Sequence, residues 1–302
     1  MPKLLNLGCG QRFSKDPNWT NVDFNSADKR VIAHDLRKKF PFDKGTFDAV
    51  YHSHVLEHFT LADGRQFIDE CLRVLKPGAL LRVAVPDGAQ ICRLYLEALA
   101  NLEAGQNEWQ GRYDWMMLEL FDQTVRTVSG GEMAKSLRQV DLSEQEFIVA
   151  RIGNIGREII ESARREERNA EMPSTSSITS SIPFWRRWAG KMKRAPERMR
   201  QQLKYSLLSE REREALALGM FRLGGEIHQW MYDGHSLRKL LESVGFVDVH
   251  RCTAKESRIE NWDLYHLDID PNGDEHAPSS VYVEGRKPVT TSANEPVINA
   301  PA

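Results

Sequence analysis

The stretch that most constrains this chain is its first. Leu4-Leu5-Asn6-Leu7 is a short apolar run that breaks into Gly8-Cys9-Gly10, and a second run, Trp19-Thr20-Asn21-Val22, ends on Asp23. The pattern predicts strand, loop, strand. In an open α/β sheet, ligands sit at the carboxyl ends of the strands. Glycines there let the backbone approach a ligand that a Cβ would hold away. An acid at the end of the next strand can accept hydrogen bonds from a ribose diol. A nucleoside-containing cofactor is therefore expected at this edge. The sixth position of the dinucleotide fingerprint is Phe13, and no Lys-Ser/Thr pair follows, so a cofactor without a pyrophosphate fits better.

Five further apolar runs read as strands: Val31–Ala33, Phe47–Tyr51, Leu80–Val85, Phe246–Cys252 and Val281–Gly285. An amphipathic helix is expected from about Leu61 to Leu75, stopped by Pro77-Gly78. Only about eleven residues separate Gly10 from Val22, and Pro17 interrupts them, so a crossover helix there would be truncated. Asp233 and Gly245 mark the ends of another helix. Between about Gly88 and Gly225 the patterning is helical throughout. The expected fold is α/β: a Rossmann-like seven-strand sheet formed by residues 1–88 and 226–287, with a large helical insertion, 89–225, after the fifth strand. Within the insertion, 172–183 is Ser-, Thr- and Pro-rich and reads as a flexible loop; residues 288–302 read as a disordered tail.

Two further signals resemble one family. The Gly8-Cys9-Gly10 loop is similar to the first motif of class I S-adenosylmethionine-dependent methyltransferases, with Asn6 where that family usually has an acid and Arg12 where it has a third glycine. Phe47-Asp48-Ala49-Val50 leading to Ser53-His54-Val55-Leu56-Glu57-His58, then Arg73-Val74-Leu75-Lys76-Pro77-Gly78, resembles its fourth and fifth motifs. His228 to Asp233 and Glu242 to Phe246 resemble the closing part of a bacterial, type 11-like branch of predicted methyltransferases, whose members are often assigned to cell-surface sugars or related small molecules. The resemblance covers roughly the first 90 residues and residues 226 to 287.

The resemblance implies S-adenosylmethionine as cofactor. Carried onto this chain, Gly8 and Gly10 would pass the methionine part, Asp23 would bind the ribose hydroxyls, and Asp35 would accept from the adenine amino group with Leu36 against the ring. Leu7, Ser53 and His54 complete the cofactor-binding set. Methyl transfer asks mainly for alignment and exclusion of water, with a base when the acceptor is a hydroxyl. The candidates are His54, Glu57, Asp87 and His228, each with a structural alternative: Asp87 as a helix cap, His228 as a packed loop histidine. His54 to His58 also spells H-x-x-E-H, an inverted zinc-peptidase signature. It follows a strand at a nucleoside crevice, so no metal site is expected from it. Asp48 is expected to buttress its strand.

The insertion is expected to supply substrate walls, with Trp109, Tyr113, Trp115 and Met116 either lining a pocket or forming core. Residues 184–204 hold eight Lys and Arg against one Glu, with tryptophans at helical spacing, and read either as a helix for an anionic membrane surface or as a docking helix. A net charge of −2 argues against general nucleic-acid binding. Four scattered cysteines, no spanning apolar run and no leader pattern make a cytoplasmic protein, peripheral at most to the inner membrane face, the expectation. Asp268, Asp270 and Asp274 lie together between the last two strands. The functional expectation is a methyltransferase acting on a small-molecule or sugar-bearing acceptor. Its rival is a catalytically silent cofactor-binding module of a glycan-synthesis complex. The oligomeric state is left open.

Overall fold

The computed structural model describes residues 1–26, 28–139, 144–171 and 208–289. The loop expected at 172–183 and the basic segment 184–204 lie outside the described residues, as does all of the tail beyond residue 289.

Seven strands form one sheet: β1 (Leu4–Leu7), β2 (Trp19–Asp23), β3 (Val31–Ala33), β4 (Phe47–Ser53), β5 (Leu75–Pro86), β6 (Val247–Cys252) and β7 (Ser280–Arg286). Their order is β3-β2-β1-β4-β5-β7-β6, and β7 alone runs against its two neighbours. The order reverses direction between β1 and β4, which places a ligand crevice beyond their carboxyl ends. The central strands β1, β4 and β5 read as near-continuous apolar runs because the sheet is covered on both faces there.

On one face, helix α1 (Leu61–Val74) buries Phe67, Ile68, Cys71 and Val74. Thr60 caps its first turn by accepting from the Asp63 amide. Alongside lies α7 (Gly234–Val244), capped by Asp233 and closed by Gly245 at φ 113°. Leu237 and Leu241 of α7 join Leu5, Val50, Leu81 and Val283 in the main core. Each such side chain contributes roughly 1.5–3 kcal/mol of burial.

The fifth strand is longer than the sequence indicates. It begins at Leu75, directly after α1, because Leu75 pairs with Phe47 before Gly78 (φ 80°) turns the chain, and a register shift between Phe47 and Ala49 absorbs the irregularity.

After β5 the described chain is helical up to residue 223. It forms α2 (Gly88–Glu103), α3 (Gln110–Val125), α4 (Gly131–Leu137), α5 (Gln145–Glu171, broken at Gly153) and α6 (Glu210–Leu223). No described helix is long and apolar enough to cross a membrane. Trp115 and Met116 are buried in a second core with Ile91, Ile148 and Ile160, which settles those two aromatic-stripe candidates as packing residues. Trp115 also donates from Nε1 to Glu119, 2.6 Å away.

Candidate active site at the carboxyl edge of the sheet

The loop after β1 reaches β2 without a helix, and side chains fasten it instead. Asn6 is 2% exposed and donates to Asn21 Oδ1 (3.2 Å) and to the Arg12 carbonyl. Asn21 in turn accepts from the Ser14 amide and donates to the Ser14 carbonyl. An amide at position 6 therefore closes the loop on the sheet without burying a charge there. Gly8 and Gly10 both have positive φ (65° and 52°). A Cβ on Gly8 would lie 2.3 Å from Val55 Cγ2, whereas one on Gly10 would meet open space. Asp23, at the end of β2, accepts from the Gly10 amide (2.8 Å) and from the Asn25 amide. Its carboxylate is thus held beside the glycine loop by backbone donors alone.

Arg12, the other off-pattern residue, turns away from this shelf. Its Nη1 lies 2.9 Å from Asp270 Oδ1 and 2.8 Å from His276 Nδ1, and its Nη2 donates to the His266 carbonyl. The glycine loop is thereby tied to the segment between β6 and β7, leaving the edge open.

Next to it lies a cavity of about 870 Å³, within the usual range for a small-molecule site. Gly8, Gly10, Ser53 and His54 line its sheet side. Glu119 and Gln123 of α3 and Arg126 just after it, Met133 and Leu137 of α4, Ile152 and Ile159 of α5, and Ile91 of α2 form the helical wall. The insertion does contribute walls, but through aliphatic and charged residues; Trp109, Tyr113, Trp115 and Met116 are not among the lining residues. Glu119 is pinned by Arg151, with 2.5 Å from Nη2 to Oε2. Arg126 donates from Nη2 to the Glu226 carbonyl, while its buried Nε–H has no partner.

Of the cofactor candidates, the cavity thus gathers Gly8, Gly10, Ser53 and His54. Leu7 is fully buried in β1, and Leu36 is packed into the main core. Asp23 and Asp35 stand outside the cavity lining, along the β2–β3 edge. Asp35 accepts from the Arg37 side chain (2.9 Å to Nε), which holds its carboxyl below the usual range. Asp48 does buttress its strand, through the Lys3 amide and Lys76. Cys9 is a packing residue: burial, then the Asp23 charge, push its thiol up to about 12.

The catalytic candidates separate in the same way. Asp87 is 1% exposed and fully engaged, capping α2 through the Ala89 and Gln90 amides and pairing with Arg251 at 2.9 Å. That is the helix-cap role. His54 has positive φ (54°) at the exit of β4, which turns its ring toward the cavity. Its Nε2 lies 2.9 Å from Ser280 Oγ, and its Nδ1 lies 3.2 Å from Glu57 Oε1, outside hydrogen-bond alignment. Burial, the largest influence on the ring, disfavours its charge, yet the Glu57 carboxylate more than offsets this and raises its pKa. Glu57 is 1% exposed and His228 7% exposed. Neither lines the cavity. Burial holds His228 neutral, down to about 3. Sequence reasoning missed Ser280, the partner of His54, and Arg126. Ser280 begins a strand whose pairing with β5 is a tertiary fact, and Arg126 has no local motif.

His276 yields a pH prediction. Burial, then the Arg12 charge, push its ring from 6.5 down to about 4. Between those values the unfolded chain takes up a proton that the folded chain refuses, so stability is full above pH 6.5 and falls toward pH 4. The ring is only partly buried, so the loss, discounted for solvent screening, is on the order of 1 kcal/mol. Urea unfolding at pH 7 and pH 4.5 should show His276→Asn losing less stability than wild type. Parallel losses would remove His276 from the account.

Parts of the chain are similar to known proteins. A family model described as "Methyltransferase domain" matches residues 5–83, from β1 into β5. A probable S-adenosylmethionine-dependent methyltransferase of Mycolicibacterium smegmatis is 29% identical over 102 residues, covering 28% of this chain and 38% of that protein. The chain thus matches less than half the length of this relative. Solved structures of SAM-dependent methyltransferases from Thermotoga maritima (13% identity, TM-score 0.36, 95% of this chain and 82% of that one) and Archaeoglobus fulgidus (11%, 0.35, 95% and 86%) are also similar. Residues 5–83 are thus similar to a methyltransferase domain, and part of the chain is similar to a probable S-adenosylmethionine-dependent methyltransferase.

Proposed function

We propose that the protein is an S-adenosylmethionine-dependent methyltransferase whose acceptor is a small molecule held between the sheet edge and the helical layer. The observation that carries this reading is the pairing of an open glycine-and-Asp23 shelf with a separate cavity that meets it at Gly8, Gly10 and His54. The residues fit the cofactor. Gly10 faces open space where a ligand can approach its backbone, and Asp23 keeps lone pairs for a ribose diol beside two backbone donors. Gly8 and Gly10 would pass its methionine part, and Asp23 its ribose. Asp35, after β3, is the adenine-side candidate. When bound, S-adenosylmethionine supplies a methyl group on an already activated sulfur leaving group.

The chain's own residues then do three things. The apolar wall of Ile91, Met133, Leu137 and Ile152 excludes water from the cavity. Arg126, anchored through Nη2 to the Glu226 carbonyl, brings a positive charge to the cavity wall for a polar group of the acceptor. His54 exchanges its Ser280 contact for the acceptor hydroxyl or amine and takes the proton at Nε2. Sugar-bearing acceptors are included in this class. Contact with an anionic membrane through 184–204 remains part of the proposal on sequence grounds alone.

Incubation with S-adenosylmethionine and fractionated small-molecule extracts, reading S-adenosylhomocysteine, tests this. The wild type should turn over with at least one fraction, and His54→Ala should lower that rate by roughly 10²–10⁴-fold with cofactor binding retained. Cofactor binding without turnover in any fraction would favour the silent module.

A further inference from the structure

We propose that Glu57, His58 and His228 form a binding site for one divalent metal ion of the zinc class, joining the chain's return from the helical layer to the turn after β4. The proposal is independent of methyl transfer and lies outside the cavity lining. Glu57 is 1% exposed; its Oε1 meets only His54 Nδ1, 3.2 Å away and outside hydrogen-bond alignment, and its Oε2 has no donor. A buried carboxylate left in that condition is costly and calls for a positive partner. Around it, one ligand atom each from Glu57, His58 and His228 lie within 4.8 Å of one another. Ligands at the usual zinc distances of about 2.0–2.2 Å would stand roughly 3.4 Å apart, so closure by at most about 1.4 Å brings three protein ligands onto one ion, with water as the fourth.

The surroundings already hold two of these residues in place. His58 Nδ1 lies 3.2 Å from the Ile227 carbonyl; donating to it leaves Nε2 as the bare nitrogen. A metal-bound histidine is commonly oriented by such a contact. The Gln229 and Trp230 amides both donate to the Glu57 carbonyl, and the Gln229 side chain donates to the His58 carbonyl. Those bonds set His228 against the 3-10 turn Leu56–His58, with the two imidazoles edge to face at 4.9 Å. Two imidazoles and a carboxylate suit zinc better than magnesium or calcium. This is not the peptidase arrangement spelled by residues 54–58. His54 sits at positive φ ahead of the 3-10 turn, and the second histidine comes from 170 residues later.

The test uses the full chain, stripped with chelator and titrated with zinc sulfate alone. Calorimetry should give one equivalent, with a rise in unfolding temperature. His228→Ala and His58→Gln should each weaken binding by at least about 100-fold, while the exposed His235→Ala should leave it unchanged. Cobalt substitution of the wild type needs no variant, and should give a tetrahedral visible spectrum without a thiolate band. Sub-stoichiometric binding, a thiolate band, or unchanged affinity in both ligand variants would overturn the site. In that event His54, 3.2 Å from Glu57, is its positive partner instead.

Discussion

Arg82→Met is expected to destabilise the protein by about 3–5 kcal/mol, the range for removing one partner of a buried ion pair. Arg82 is fully buried in the middle of β5. Its Nε donates to Asp268 at 2.8 Å and its Nη1 to Glu284 at 3.1 Å. The carbonyls of Thr253, Ala254 and Glu256 take its remaining protons. The guanidinium also lies over the Trp262 ring at 4.5 Å. Methionine would keep much of the volume but leave two buried carboxylates facing each other. Burial already raises the Asp268 pKa, so that group would protonate first. The consequence for the site is direct, because this network anchors the segment between β6 and β7. That segment carries Asp270 and His276, which hold Arg12, and leads into Ser280, which meets His54. Urea unfolding measures the loss. Adding Asp268→Asn and Glu284→Gln should recover part of it, and a cost below about 1 kcal/mol would show that the network does not anchor the segment.

The second large effect is on ligand binding. Asp23→Ala should weaken S-adenosylhomocysteine binding by roughly 10²-fold or more. Hydrogen bonds to a charged group contribute about 1.5–3 kcal/mol each, and a ribose diol offers two. The fold should tolerate the change. Asp23 is only partly buried, and the two donors it satisfies, the Gly10 and Asn25 amides, belong to an exposed loop that water can reach.

All seven strands were legible as short runs rich in Val, Leu, Ile and aromatic residues punctuated by Gly, Pro and Asp, most plainly in the buried parallel strands β1, β4 and β5. The caps of α7 were legible for the same local reason, since Asp233 and Gly245 act within one turn. The site was legible only where one strand end and its loop supply it, as with Gly8, Gly10 and Asp23. The remainder depends on distant segments. His228 is brought to Glu57, 171 positions away, by the Gln229 and Trp230 amides that bond the Glu57 carbonyl, and Ser280 reaches His54 across 226. One clue lay unread: an arginine inside the apolar run Leu80-Leu81-Arg82-Val83 demands buried acids, and Asp268 and Glu284 supply them. Asp87 had two readings in sequence, and its three bonds favour the cap.

The central claim is that an adenosyl cofactor rests where β1 and β2 end. Isothermal titration of S-adenosylhomocysteine into wild type and Asp23→Ala tests it most directly, with circular dichroism to establish that both are folded. The account predicts saturable one-to-one binding in the wild type and a loss of roughly 100-fold or more in the variant. No binding by the wild type, or equal affinity in the two proteins, would contradict it.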